Sequence, residues 1–143
     1  MEILIQEPKS GEDDRVIIRV ERMTQRILRA IDILKQPDDL TVYRDGQVVL
    51  IPVSDVFYIE SVDSKTFVNT KSDVYSMKLK LYEVEELLGG DFFRMSKSTI
   101  VNLKKVTGIS PAGAGRFQAN LVNGEKVIIS RQYVPKLKER FGL

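Results

Sequence analysis

Residues 92–103 read FFRMSKSTIVNL. Phe92 and Phe93 open the run and the Ile100–Val101 pair nearly closes it, so apolar residues flank a polar centre of Arg94, Ser96, Lys97 and Ser98, with Asn102 behind. The flanks suit a core and can hold the centre on a rigid support. Arg, Lys, Ser and Asn are the side chains that donate most to DNA phosphates and base edges. By itself the run reads equally well as a solvated loop with two cations, so its meaning depends on its surroundings.

Outward from this run, charge is unevenly spread. Residues 91–143 hold ten Lys/Arg against three Asp/Glu, whereas residues 38–90 hold five against ten, and the first 37 residues hold seven of each. The whole chain carries only +2. Such asymmetry suits a polyanion-binding surface on the positive part, or two oppositely charged parts that neutralise each other. The 143 residues suffice for one domain with a short extension.

The missing residue types narrow the chemistry. There is no cysteine, which excludes disulfides, thiolate zinc sites and cysteine nucleophiles. There is no histidine, which removes Ser-His-Asp catalysis, imidazole acid/base work and most catalytic zinc sites. Ser96-Lys97-Ser98 lacks a spacing that lets one group activate another. An enzyme is not expected, nor any cofactor or metal. MEILIQEP at the start has no cationic head or apolar centre, and no apolar stretch approaches the ~20 residues that span a bilayer. These features fit a cytoplasmic protein.

Hydrophobic periodicity divides the chain at QPDD, residues 36–39. Before it, ILI at 3–5 and VIIRV at 16–20 are strand-like runs separated by the turn-rich KSGEDD. Met23, Ile27, Ile31 and Leu34 then recur at helical spacing, capped by Thr24 or an earlier residue and ended by Pro37. Arg22, Arg26 and Arg29 fall between them as a solvated face. Residues 1–37 are thus expected to be a strand/helix extension that packs on the rest or dimerises, and residues 38–143 a separate domain.

From Leu40 the period becomes two. Asp45-Gly46 marks a tight hairpin, Val56–Glu60 and Thr66–Thr70 are strand candidates, and in Val74–Leu81 apolar and polar residues alternate. Tyr82–Leu88 reads as a short acidic helix stopped by Gly89-Gly90. Further strands are expected at Val106–Ser110, Arg116–Val122 and Lys126–Ser130, with a hairpin at Asn123-Gly124. A basic helix over about Gln132–Arg140 closes the chain. The fold class is mainly β with short helices, an antiparallel sheet domain behind a small β/α extension. Strands and hairpins between the basic elements disfavour a helix-turn-helix.

Four segments in order carry a resemblance: Val56-x-Tyr58-Ile59-Glu60-Ser61, Leu81-x-x-Val84-Glu85-x-Leu87, FFRMSKSTIVNL, and Asn123-Gly124 with Ser130-Arg131-Gln132-Tyr133. Together, over about Leu40–Leu143, they resemble the LytTR family of bacterial DNA-binding domains. The resemblance implies mostly antiparallel strands and a transcriptional regulator that binds double-stranded DNA at promoter direct repeats as paired domains, so a homodimer at least on DNA. It implies base contacts from loops entering successive major grooves, at Thr66 (or Lys65 if the turn shifts), Lys97 and Gln132. The histidine, asparagine and arginine of several family members are replaced at these three points, which alters the expected DNA preference. Only 37 residues precede the domain, too few for the receiver that many members carry. The chain therefore resembles the stand-alone regulators, some of which are restrained by an inhibitory membrane-protein partner.

Arg94, Ser96, Ser98, Asn102, Lys104, Lys105 and Arg131 then divide between DNA backbone contacts and bracing of the site. Asn102 has either role, the serines also suit a tight turn, and Arg131 has Glu60 as an alternative partner. The competing function is a protein-interaction module, an anti-activator or adaptor without direct DNA readout.

Overall fold

The computed structural model describes residues 1–143. It is mainly β: ten strands and three α-helices, all strand pairs antiparallel. Residues 1–23 form no strand, although ILI and VIIRV have the composition for one. A strand needs a partner for its backbone groups, and these runs find none in the chain. The helix α1 spans Gln25–Lys35, and Thr24 Oγ1 accepts from Ile27 N at 3.3 Å as its cap. Of the apolar stripe only Ile27 is buried, and Met23 and Leu34 stay exposed. Gly89 explains the docking of α1, because a Cβ there would meet Asp32 Cγ at 3.2 Å.

The larger sheet contains β1 (Asp39–Arg44), β2 (Gln47–Pro52), β3 (Tyr58–Val62), β4 (Lys65–Asn69), β5 (Val74–Met77), β6 (Phe92–Ser96) and β7 (Thr99–Asn102). Their order is β2-β1-β5-β4-β3-β7-β6. The smaller sheet sets β8 (Val106–Gly113), β9 (Arg116–Leu121) and β10 (Lys126–Ile129) in the order β10-β9-β8. Pro111 is tolerated because β8 lies at an edge, where a missing donor breaks no central ladder. Between β5 and β6 stands α2, Leu81–Leu88, and α3, Val134–Phe141, follows a 3₁₀ turn at Arg131–Tyr133. No two α-helices are joined by a turn alone, and none is long and apolar enough to cross a membrane.

Side chains alternate across β3, β7 and β6, so these strands feed two cores. Ile59, Ile100 and Phe92 join Leu81, Val84 and Leu88 of α2 on one face. Val101 and Met95 join Ala119, Leu121 and Ile129 of the small sheet, with Val134 and Leu137 of α3, on the other. The β3-β7-β6 side of the large sheet is therefore clamped between α2 and the β8–β10 layer. The loops at its ends inherit that rigidity.

Candidate nucleic-acid interface

Strand direction and register bring four loops to one end of this clamp. β3 runs out to Val62, where Asp63 (φ 50°) and Ser64 (φ 63°) turn the chain into Lys65. Positive φ at both central residues is the two-residue turn whose twist suits a hairpin. β7 starts beside β3, with Thr99 opposite Glu60, so the turn from Ser96 to Thr99 projects next to that hairpin. Ser61 N donates to Ser98 O at 2.8 Å and ties the two together. Ser130 N donates to Met95 O at 2.9 Å, which brings Arg131 and Gln132 to the same end. The β8–β9 hairpin tip closes the group, since a Cβ on Gly115 would meet Arg131 Cδ at 3.0 Å.

The turn carrying Lys97 is held from below by Arg94. Its Nε donates to Ser96 O at 2.7 Å, Nη2 to Lys97 O, and Nη1 pairs with Glu85 of α2 at 2.8 Å. That side chain is only 19% exposed, on a strand whose register shifts between Arg94 and Ser96. The bulge leaves the turn carbonyls unpaired in the ladder, and the guanidinium fork satisfies two of them. Ser96 Oγ accepts from Ser98 N at 3.2 Å and lies 3.4 Å from Ser98 Oγ. Lys97 itself is exposed and makes no ion pair.

The remaining sequence candidates fall into three groups. Lys65, Arg131 and Gln132 are exposed at the loop end, and Arg131 makes no ion pair with Glu60. Thr66, beside Lys65, is 6% exposed and sits opposite Ser61 and Met77 within the sheet. Asn102, Lys104 and Lys105 lie at the other end of β7. Asn102 is 3% exposed; its Nδ2 donates to Val56 O at 2.9 Å and its Oδ1 accepts from Lys104 N at 3.1 Å. Lys104 Nζ faces Asp91 at 3.6 Å, and Lys105 Nζ lies 5.2 Å from the centre of the Phe57 ring. The cations of the basic half thus divide between two ends of the molecule.

One residue the sequence reading passed over belongs with the loop end. Arg116 follows the PAGAG turn and opens β9, is exposed, and donates Nε–H to Gly113 O at 3.3 Å. The signal for it was present: Ile129 pairs with Phe117, so a hairpin at Asn123-Gly124 returns the chain from Arg116 to the neighbourhood of Ser130. Four exposed cations, Lys65, Lys97, Arg116 and Arg131, therefore share this end, with Asp63 as the exposed acid of the hairpin.

Residues 46–142 match the LytTr DNA-binding domain family. The fold is similar to the solved LytTr DNA-binding domain of a Bacillus cereus protein, at 30% identity and a TM-score of 0.71, covering 75% of this chain and 99% of that one. Uncharacterized HTH-type transcriptional regulators of Staphylococcus aureus are similar in sequence. Those of strains NCTC 8325 and COL are 30% identical over 119 residues, 83% of this chain and 81% of theirs.

Proposed function

The chain belongs to the LytTr DNA-binding domain family, and on that premise we propose that it is a transcriptional regulator that binds double-stranded DNA sequence-specifically through its four-loop end. The observation that carries this reading is the convergence of Lys65, Lys97, Arg116, Arg131 and Gln132, all exposed, on loops anchored by backbone bonds to the clamped sheet. Preorganised donors lose little freedom on binding.

The side-chain chemistry divides the roles. Lys97 projects from the braced turn as a donor to guanine O6/N7, and Gln132 as a bidentate partner of adenine N6/N7. Lys65 serves the third position, with Thr66 supporting the hairpin from beneath. Arg116 and Arg131 contact phosphate, which fixes register without reading sequence. Arg94, Ser96 and Ser98 hold the Lys97 turn, and Asn102 braces the far end of β7. Lys104 and Lys105 stand outside this face. The loops enter successive major grooves of a direct repeat, one domain per repeat. The alternative, a protein-interaction module, needs no exposed Lys97 or Gln132.

Selection from a randomised duplex pool, followed by affinity measurements over a salt series, tests the reading. A repeated motif should be enriched. With Arg116 and Arg131 neutralising two phosphates per domain, log affinity should fall against log salt with a slope of about −2 for each bound domain. No enrichment and no binding at low salt would remove the DNA reading and leave the interaction module. A membrane-protein partner that restrains the regulator is a further proposal, carried by the family resemblance alone.

A further inference from the structure

The first 36 residues contain an unusual share of the molecule's unburied apolar surface. Met1, Ile3, Leu4, Ile5, Val16, Ile17, Ile18, Val20, Met23, Leu28, Ile33 and Leu34 are all exposed, twelve of the 22 large exposed hydrophobics in the chain. Exposed apolar residues that gather into a large patch mark an interaction site. Charge in the segment is ordered. Residues 1–14 hold five acids and only Lys9, whereas residues 15–29 hold five arginines and only Glu21.

The two arms already lie side by side. Glu2, Leu4 and Gln6 of the first arm line one open cleft together with Arg15, Ile17 and Arg19 of the second. On both arms these are alternate residues, the period of an extended strand. The arms form no ladder with each other, and residues 1–23 contribute no strand. Their backbone donors and acceptors remain available.

We propose that residues 1–36 are a dimerisation element whose occupant is the same segment of a second copy. An isologous contact requires a patch complementary to itself under a two-fold rotation. An acidic arm followed by a basic arm of equal and opposite charge meets that condition when two copies pair antiparallel. The acidic arm of each then lies on the arginine arm of the other, strand pairing fills the clefts, and the isoleucines and valines are covered. The arrangement holds two DNA-binding domains together before DNA is met.

Two charge-reversed full-length chains test it: Arg15→Glu with Arg19→Glu and Arg22→Glu, and Glu12→Lys with Asp13→Lys and Asp14→Lys. All six residues are exposed, so thermal unfolding of the domain serves as a control that should not move. By sedimentation at micromolar concentration the wild-type chain should be a dimer. Each reversed chain alone should be a monomer, and an equimolar mixture should recover a heterodimer. A wild-type monomer, an assembly larger than two, or reversed chains that still dimerise alone would overturn the proposal. So would a mixture that stays monomeric, which is the result for arms that pair only within their own chain. Binding of each variant to a single-site duplex reports the DNA reading separately.

Discussion

Arg94 directs all three guanidinium nitrogens at its own chain, to Ser96 O, Lys97 O and Glu85. Lys97, three residues on, directs its side chain at solvent. The two cations of FFRMSKSTIVNL therefore separate on substitution. Arg94→Ala should lower stability by about 1–2 kcal/mol, the range for charge-assisted bonds discounted for partial exposure. It should also weaken DNA binding, since the turn loses its support. Lys97→Ala should leave the denaturation midpoint within about 0.5 kcal/mol of wild type, yet remove about 1–3 kcal/mol of discrimination between the selected and random duplexes. Equal loss on both duplexes would make Lys97 a phosphate contact. Asn102 differs again: Asn102→Ala strands Val56 O in a buried site and Lys104 N in a part-buried one and should cost about 2 kcal/mol in urea unfolding, without altering sequence preference. In the sequence, Asn102 is equally a DNA contact and a brace. Its surroundings favour the brace, because both ends of its amide are bonded and it is 3% exposed.

The two sheets are joined at their far end by Tyr58 of β3, whose hydroxyl donates to Glu125 Oε2 at 2.7 Å. Burial, and then the hydrogen bond to Glu125, raise its pKa above the ordinary 10.0. A group with a raised folded-state pKa stabilises fully below its unfolded value, and that contribution is lost as pH rises from there. Stability should thus fall as pH climbs above 10, and Tyr58→Phe should show a shallower decline, starting about 1 kcal/mol lower at neutral pH. Parallel pH profiles for the two proteins would contradict this. At this scale the sequence was largely legible, because period-two runs and Asp45-Gly46 are local signals that sheet packing reinforces. It was less so where tertiary partners decide. VIIRV has strand composition but no strand, β5 stops at Met77 because Leu81 is drawn into α2, and the hairpin at Asp63-Ser64 uses φ > 0 without a glycine to announce it.

Across the whole molecule, the basic half splits by place in the fold rather than by position in the chain. Lys97 and Lys104 are seven residues apart in the sequence, yet β7 runs between them and puts them at opposite ends. Arg94, Lys97, Lys104 and Lys105 fall close together in the sequence, but a strand's direction is not written in its charges. Arg116 shows the converse, distant in sequence from Lys97 and adjacent in space to Arg131. The proposed DNA-binding face is therefore one end of the sheet and not the other. Two double variants compare the ends directly, Lys97→Ala with Arg131→Ala at the loop end and Lys104→Ala with Lys105→Ala at the other. The measurement is the salt dependence of duplex affinity for each. The loop-end variant should bind more weakly and reduce the log–log slope by about 1, the share of Arg131, while the far-end variant keeps the wild-type slope and affinity. Loss of binding in the far-end variant with the loop-end variant intact would contradict the account.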